Sequence, residues 1–126
     1  MLEALIRLPA TILLLRSRGL VAAQGSVRPA SSHIEPVPVE KVAAGVEAAA
    51  IVWRANCLQR SMTLWWMLRR RGQAADLRIG VRSEPERPAF HAWVEQNGVV
   101  LNDSPDVADR FAPFSPAVLP PGARFV

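Results

Sequence analysis

The sequence predicts an α+β fold in which a helix carrying the lone cysteine packs on an antiparallel sheet of about three strands. Three observations predict it. Two stretches with apolar residues at helical spacing, Val39 to Trp53 and Asn56 to Gly72, come first. Clustered strand patterns follow, at 75–82, 89–95 and 99–103. The last two flank Gln96-Asn97-Gly98, a hairpin signal.

The N-terminal stretch MLEALIRLPATILLLRSRGL reads as an amphipathic helix, with Leu2, Leu5, Ile6, Ile12, Leu13 and Leu15 apolar and Pro9 expected to break or bend it. Glu3 stands where a signal peptide wants positive charge, and Arg7 and Arg16 confine the apolar run to about eight residues. That is too short for a membrane span. Gly19 to Pro38, with three prolines after Gly25, reads as a connector, and His33 falls in it. Val39 to Trp53 is alanine-rich and helical, with Val42, Val46, Ala49, Ala50 and Trp53 on one side.

Asn56 is a favoured N-cap, so the next helix begins at Cys57, and Gly72 ends it. Cys57, Leu58, Ser61, Met62, Leu64, Trp65 and Leu68 share one arc; Gln59, Thr63 and Arg70 lie opposite. Arg69-Arg70-Arg71 closes the helix, where cations complement the dipole. In the first strand Leu77, Ile79 and Val81 alternate with Arg78, Gly80 and Arg82. The tail from Ser104 carries five prolines and should be mostly irregular, with Phe111, Phe114, Leu119 and Phe125 available to pin it to the core. The expected organisation is one domain, 1–126: an N-terminal segment and connector (1–38), a catalytic core (39–106) and a proline-rich tail (107–126).

Composition narrows the function. One cysteine permits no internal disulfide, which fits a reducing cytoplasm. Two histidines and one cysteine, without close ligand pairs, argue against a zinc site, and no cofactor is expected. The net charge of +4 rests on fourteen arginines and one lysine, scattered rather than interleaved with aromatics, so a solvated basic surface is expected rather than a nucleic-acid interface.

The chemistry lies in Cys57, His91 and Asp103. Unpaired N–H groups and the dipole at a helix N-terminus favour a thiolate, and the N–H of Cys57 can donate to an oxyanion. A lone cysteine on an apolar face is also commonly just a small buried hydrophobe. His91, Trp93 and Glu95 share one strand face, as do Val99, Leu101 and Asp103. A three-residue loop, 96–98, sets His91 opposite Asp103, within reach of an imidazole–carboxylate hydrogen bond. A two-residue Asn97-Gly98 turn would instead put Asp103 opposite Ala92, on the other face, and weaken the pairing. The three-residue register is the one expected, because it alone makes His91 and Asp103 neighbours in the ladder. A helix cysteine, a strand histidine and a strand aspartate, in that order, are what a papain-like or transglutaminase-like core uses.

The segments NCLQRSMTLWWMLRRRGQAADLRIGVR and FHAWVEQNGVVLND resemble the lasso peptide leader peptidases, the transglutaminase-like half of the lasso biosynthesis B protein. The resemblance covers about Trp53 to Asp106, under half the chain. It implies removal of the leader peptide from a ribosomally made precursor, with Cys57 as nucleophile, His91 as base and Asp103 as its orienter. It also implies a separate leader-binding recognition protein and an ATP-dependent lasso cyclase acting afterwards; no phosphate-binding glycine loop is present here. Gln59 and Asn56 are candidates for a second oxyanion donor. Two other classes share these residues: an acyltransferase or transglutaminase with the same triad, and a non-catalytic peptide-binding module.

Overall fold

The computed structural model describes residues 2–18, 38–115, 119 and 122–125. Most of the connector, with His33, lies outside the described residues. The fold is α+β, as predicted. Its elements are α1 (Leu2–Arg18), α2 (Val39–Trp53), α3 (Cys57–Arg70), β1 (Asp76–Arg82), β2 (Ala89–Gln96), β3 (Val99–Val100), α4 (Val107–Arg110) and β4 (Ala112–Phe114). The strands form one antiparallel sheet in the order β3-β2-β1-β4.

Helix α3 is central: it packs on β2 and β1 and is covered by α1 and α2. This explains why its burial extends beyond the apolar arc. Thr63, on the side opposite Cys57, is fully buried and returns its hydroxyl to Gln59 O at 2.8 Å. The main core lies between the helices and one sheet face, with Leu8, Val46, Met62, Leu64, Leu68, Ile79 and Val94 at its centre. A second, smaller cluster on the other face joins Ala89 and Trp93 to Val107 and Phe111.

Helix α1 runs unbroken through Pro9, where a break or bend was expected. Proline supplies no N–H to the carbonyl four residues back, here Leu5 O. The Trp53 indole donates to that same carbonyl at 3.1 Å, so the deficit is met from α2. The inward face of α1 is Ala4, Leu8 and Thr11, while Ile6 and Leu13, expected on its apolar side, face outward. Glu3 receives Arg7 at 2.7 Å and also Arg71, just beyond α3, which clamps α1 to the end of the central helix. Burial raises the Glu3 carboxyl, but the two guanidinium groups outweigh it and hold it below the usual carboxylate range. No helix among the described residues is long and apolar enough to cross a membrane.

Three sequence expectations change at the sheet. The hairpin closes with two residues, Asn97 (φ 51°) and Gly98 (φ 79°), so Glu95 pairs with Val100 and Gln96 with Val99. Successive positive φ values make the tight turn whose twist matches that of the strands, and Asn-Gly favours it over the three-residue loop expected. The partner strand ends at Val100 rather than running to Asp103. The tail supplies a fourth strand: β4 pairs with β1, matching Ile79 with Phe114 and Val81 with Ala112. Phe90 meets Phe114 edge-on at 5.8 Å, and Phe125 bridges back to Phe90, so the tail phenylalanines pin it as expected.

Candidate active site

Cys57 opens α3 immediately after a tight inter-helix link. Arg54 adopts a left-handed conformation (φ 50°, ψ 44°) that stops α2 and sends its N–H to Ala50 O. Asn56 then caps α3, its side chain accepting from Gln59 N at 2.9 Å while the Gln59 side chain accepts from Asn56 N at 3.0 Å. This reciprocal box fixes the first turn. It also commits the side-chain oxygens of Asn56 and Gln59, the two candidates for a second oxyanion donor, to the cap. Cys57 is 3% exposed, a free thiol at the positive end of the helix.

His91 sits in the middle of β2, across from Gly80 on β1. Its ring lies against Phe111 (centroids 4.8 Å apart, planes 24° apart), with Trp93 next along the same face at 6.3 Å. The approach of Phe111 depends on Gly80. A Cβ there would fall 2.7 Å from Phe111 Cβ and 2.9 Å from both Phe111 O and the Trp93 ring. The Arg82 guanidinium lies 4.8 Å from the Phe111 ring centre, and that of Arg110 lies 5.9 Å away.

His91 Nε2 contacts Asp103 Oδ2. The other carboxylate oxygen accepts from Ser104 N at 2.7 Å and faces Arg110 at 3.4 Å. Arg110 also donates to Ser104 Oγ at 2.6 Å. Burial pushes the Asp103 carboxyl up. The hydrogen bonds from His91 and Ser104 N, with the charges of His91 and Arg110, outweigh that and hold it below the ordinary carboxylate range.

The two-residue turn should carry Asp103 away from His91, yet the contact forms because the chain leaves the ladder. Leu101 N still bonds Val94 O at 2.9 Å, but Val94 N then donates to the Asn102 side chain at 2.8 Å. Asn102 Nδ2 in turn donates to Ser61 Oγ at 3.0 Å, and Ser61 Oγ donates to Ala92 O at 3.0 Å. Ser61 stands one turn after Cys57 on α3, and Ala92 follows His91 on β2. The structure therefore pairs His91 with Asp103 and docks the Cys57 helix on the same strand. Sequence reasoning placed Ser61 on the Cys57 arc but missed its partner Asn102 and the Phe111–Gly80 contact. Among the described residues no cluster of three or more His, Cys, Asp or Glu could hold a metal ion.

The family model described as transglutaminase-like superfamily matches residues 4–115. Over 61 residues, 48% of this chain, the sequence is 38% identical to the Microcin J25-processing protein McjB of Escherichia coli. The chain matches 28% of that protein's length. No solved structure matches the chain.

Proposed function

Given that the chain belongs to the transglutaminase-like superfamily, we propose that it is a cysteine peptidase that removes the leader from a ribosomally made lasso peptide precursor. The observation that carries this reading is the His91–Asp103 pair on the strand against which the Cys57 helix docks. The match to a protein named for processing microcin J25 supports the substrate class, as does the resemblance of the CLQRS and HAWVE segments to leader peptidases.

In this reading the Cys57 thiol passes its proton to His91, and the sulfur adds to the carbonyl of the leader's last residue. Asp103 occupies Nε2 of His91, so proton transfer falls to Nδ1. The Cys57 N–H, at the helix N-terminus, is the group this reading assigns to the developing oxyanion. The imidazolium then protonates the departing core amine, leaving the leader as a thioester on Cys57. Water, deprotonated by His91, releases the leader and restores the thiol. The freed core amine becomes the nucleophile for an ATP-dependent cyclase. A separate leader-binding protein would bring the precursor to this chain, and a reducing cytoplasm would keep the lone thiol free. Helix α1 and the tail belong to the same working domain as the core.

The test is incubation with precursor peptides encoded beside this chain, with and without the leader-binding protein, read by mass. Hydrolysis yields two fragments whose masses sum to the precursor plus one water. Transfer to an amine yields a new amide instead and supports the acyltransferase alternative. No product in any combination, or equal products from Cys57→Ala, overturns the peptidase reading.

A further inference from the structure

Among the described residues, the edge of β2 beside His91 has no strand partner between Val100, where the two-residue β3 ends, and Phe125, which bridges to Phe90. Two side chains take the positions a continued strand would fill. Asn102 Oδ1 accepts from Val94 N at 2.8 Å, where the ladder would use the carbonyl of Leu101. Ser61 Oγ donates to Ala92 O at 3.0 Å, where the ladder would use the next backbone N–H. The two are joined, since Asn102 Nδ2 donates to Ser61 Oγ at 3.0 Å.

We infer that Asn102 is a positioning residue, which substitutes its side chain for strand backbone and so releases the main chain to turn Asp103 onto His91. This role rests on the peptidase reading for its significance, though the geometry stands without it. With a side-chain period of two, continuation of the Glu95–Val100 register would leave Asp103 opposite Ala92, on the face away from His91. Shifting Asp103 onto the other face requires the chain to leave the ladder, and the vacated polar groups of β2 must then be bonded by something else. Only a side chain with an acceptor and a donor about one carbonyl apart can serve both Val94 N and Ser61, which selects a carboxamide. Ser61 fixes which way the amide points. Its single hydroxyl hydrogen is committed to Ala92 O, so it accepts from Asn102, and Nδ2 must face it. Ser61 is fully buried and stands one turn beyond Cys57. The same short chain of hydrogen bonds therefore ties the nucleophile's helix to the strand of the base and to the approach of Asp103.

The test uses two readouts on the full chain, neither needing a peptide. The first is the downfield imidazole N–H resonance that the His91–Asp103 hydrogen bond gives in proton NMR, with Asp103→Asn as the reference for its loss. The second is the pH profile of iodoacetamide alkylation, which reports only Cys57 because no other cysteine exists. Asn102→Ala should lose the resonance and adopt the alkylation profile of Asp103→Asn although Asp103 is intact. Asn102→Asp keeps the acceptor for Val94 N and should retain the resonance. An Asn102→Ala protein with wild-type circular dichroism, resonance and profile overturns the assignment. So does an Asn102→Asp protein that has wild-type circular dichroism yet lacks the resonance. Failure of the peptidase reading shows instead as absent cleavage by the wild type, with both readouts unchanged.

Discussion

Asp103 reaches His91 from a position that the sheet register assigns to Ala92. The carboxylate meets Nε2 only because the chain abandons the ladder after Leu101 and turns back along the edge of β2. An acceptor held this way orients the ring and supports the imidazolium but takes no proton from substrate. Asp103→Asn should therefore slow precursor cleavage less than His91→Ala, which deletes the base. Single-turnover rates on a cleaved precursor check the order; equal losses would place Asp103 directly in proton transfer.

The same pairing predicts an acid limb in stability. The Asp103 carboxyl is held below its ordinary range by His91, Ser104 N and Arg110 against the effect of burial. A depressed carboxylate contributes stability above its unfolded titration, near about pH 4, and loses that contribution as pH falls through the folded value. Wild type should exceed Asp103→Asn by about 1.5 kcal/mol near neutrality, the lower end for a hydrogen bond to a charged group because the pair is partly exposed. The gap should shrink below about pH 4, where an unperturbed aspartate protonates. Urea titrations at several pH values measure it, and a gap independent of pH would contradict the assignment.

Cys57→Ala should fold and fail to cleave. The side chain is buried at the start of a helix whose cap, Asn56 with Gln59, does not involve it. No second cysteine exists to substitute. Activity above about one hundredth of wild type would exclude covalent catalysis by this thiol, since loss of a nucleophile costs far more.

Local chemistry made much of this legible in the sequence. The Asn56 cap, the alternation of β1 and the shared face of His91 and Trp93 follow from neighbours a few residues away, and the structure has them. The Cys57 arc was correct, but Thr63 showed that a helix covered by α1 and α2 as well as the sheet is buried beyond one arc. The hairpin failed for a different reason: Asn97-Gly98 favours a tight turn, and the longer loop was expected because only regular pairing was considered as a way to join His91 and Asp103. The actual route, through Asn102 and Ser61 forty-one residues apart, leaves no periodic trace. The fourth strand was missed because Ala112-Pro113-Phe114 is short and contains proline, which an edge strand tolerates.

Gly80→Ala should damage the site without touching any proposed catalytic residue. Its new Cβ would press on Phe111 Cβ and backbone O and on the Trp93 ring, two of the three being fixed atoms of one residue. Overpacking of this kind costs about 1–3 kcal/mol. Phe111 would be driven off the His91 ring, so kcat should fall along with melting temperature. A variant with wild-type stability and turnover would mean the Phe111 contact is dispensable.

Trp53 and Pro9 should be energetically coupled across two helices. Pro9 leaves Leu5 O without its helical donor, and the Trp53 indole N–H fills that place at 3.1 Å. Trp53 is 46% exposed, so water can partly replace the bond, and Trp53→Phe should cost only about 1 kcal/mol. Pro9→Ala restores a backbone N–H to the same carbonyl and removes a residue of poor helix propensity, so it should stabilise α1. In the Pro9→Ala background the carbonyl is already satisfied, and Trp53→Phe should then cost clearly less. A double-mutant cycle from urea unfolding measures the difference directly. Strict additivity would mean that the helix passes Pro9 by packing alone, through Ala4, Leu8 and Thr11 against the core, and that the indole bond is incidental.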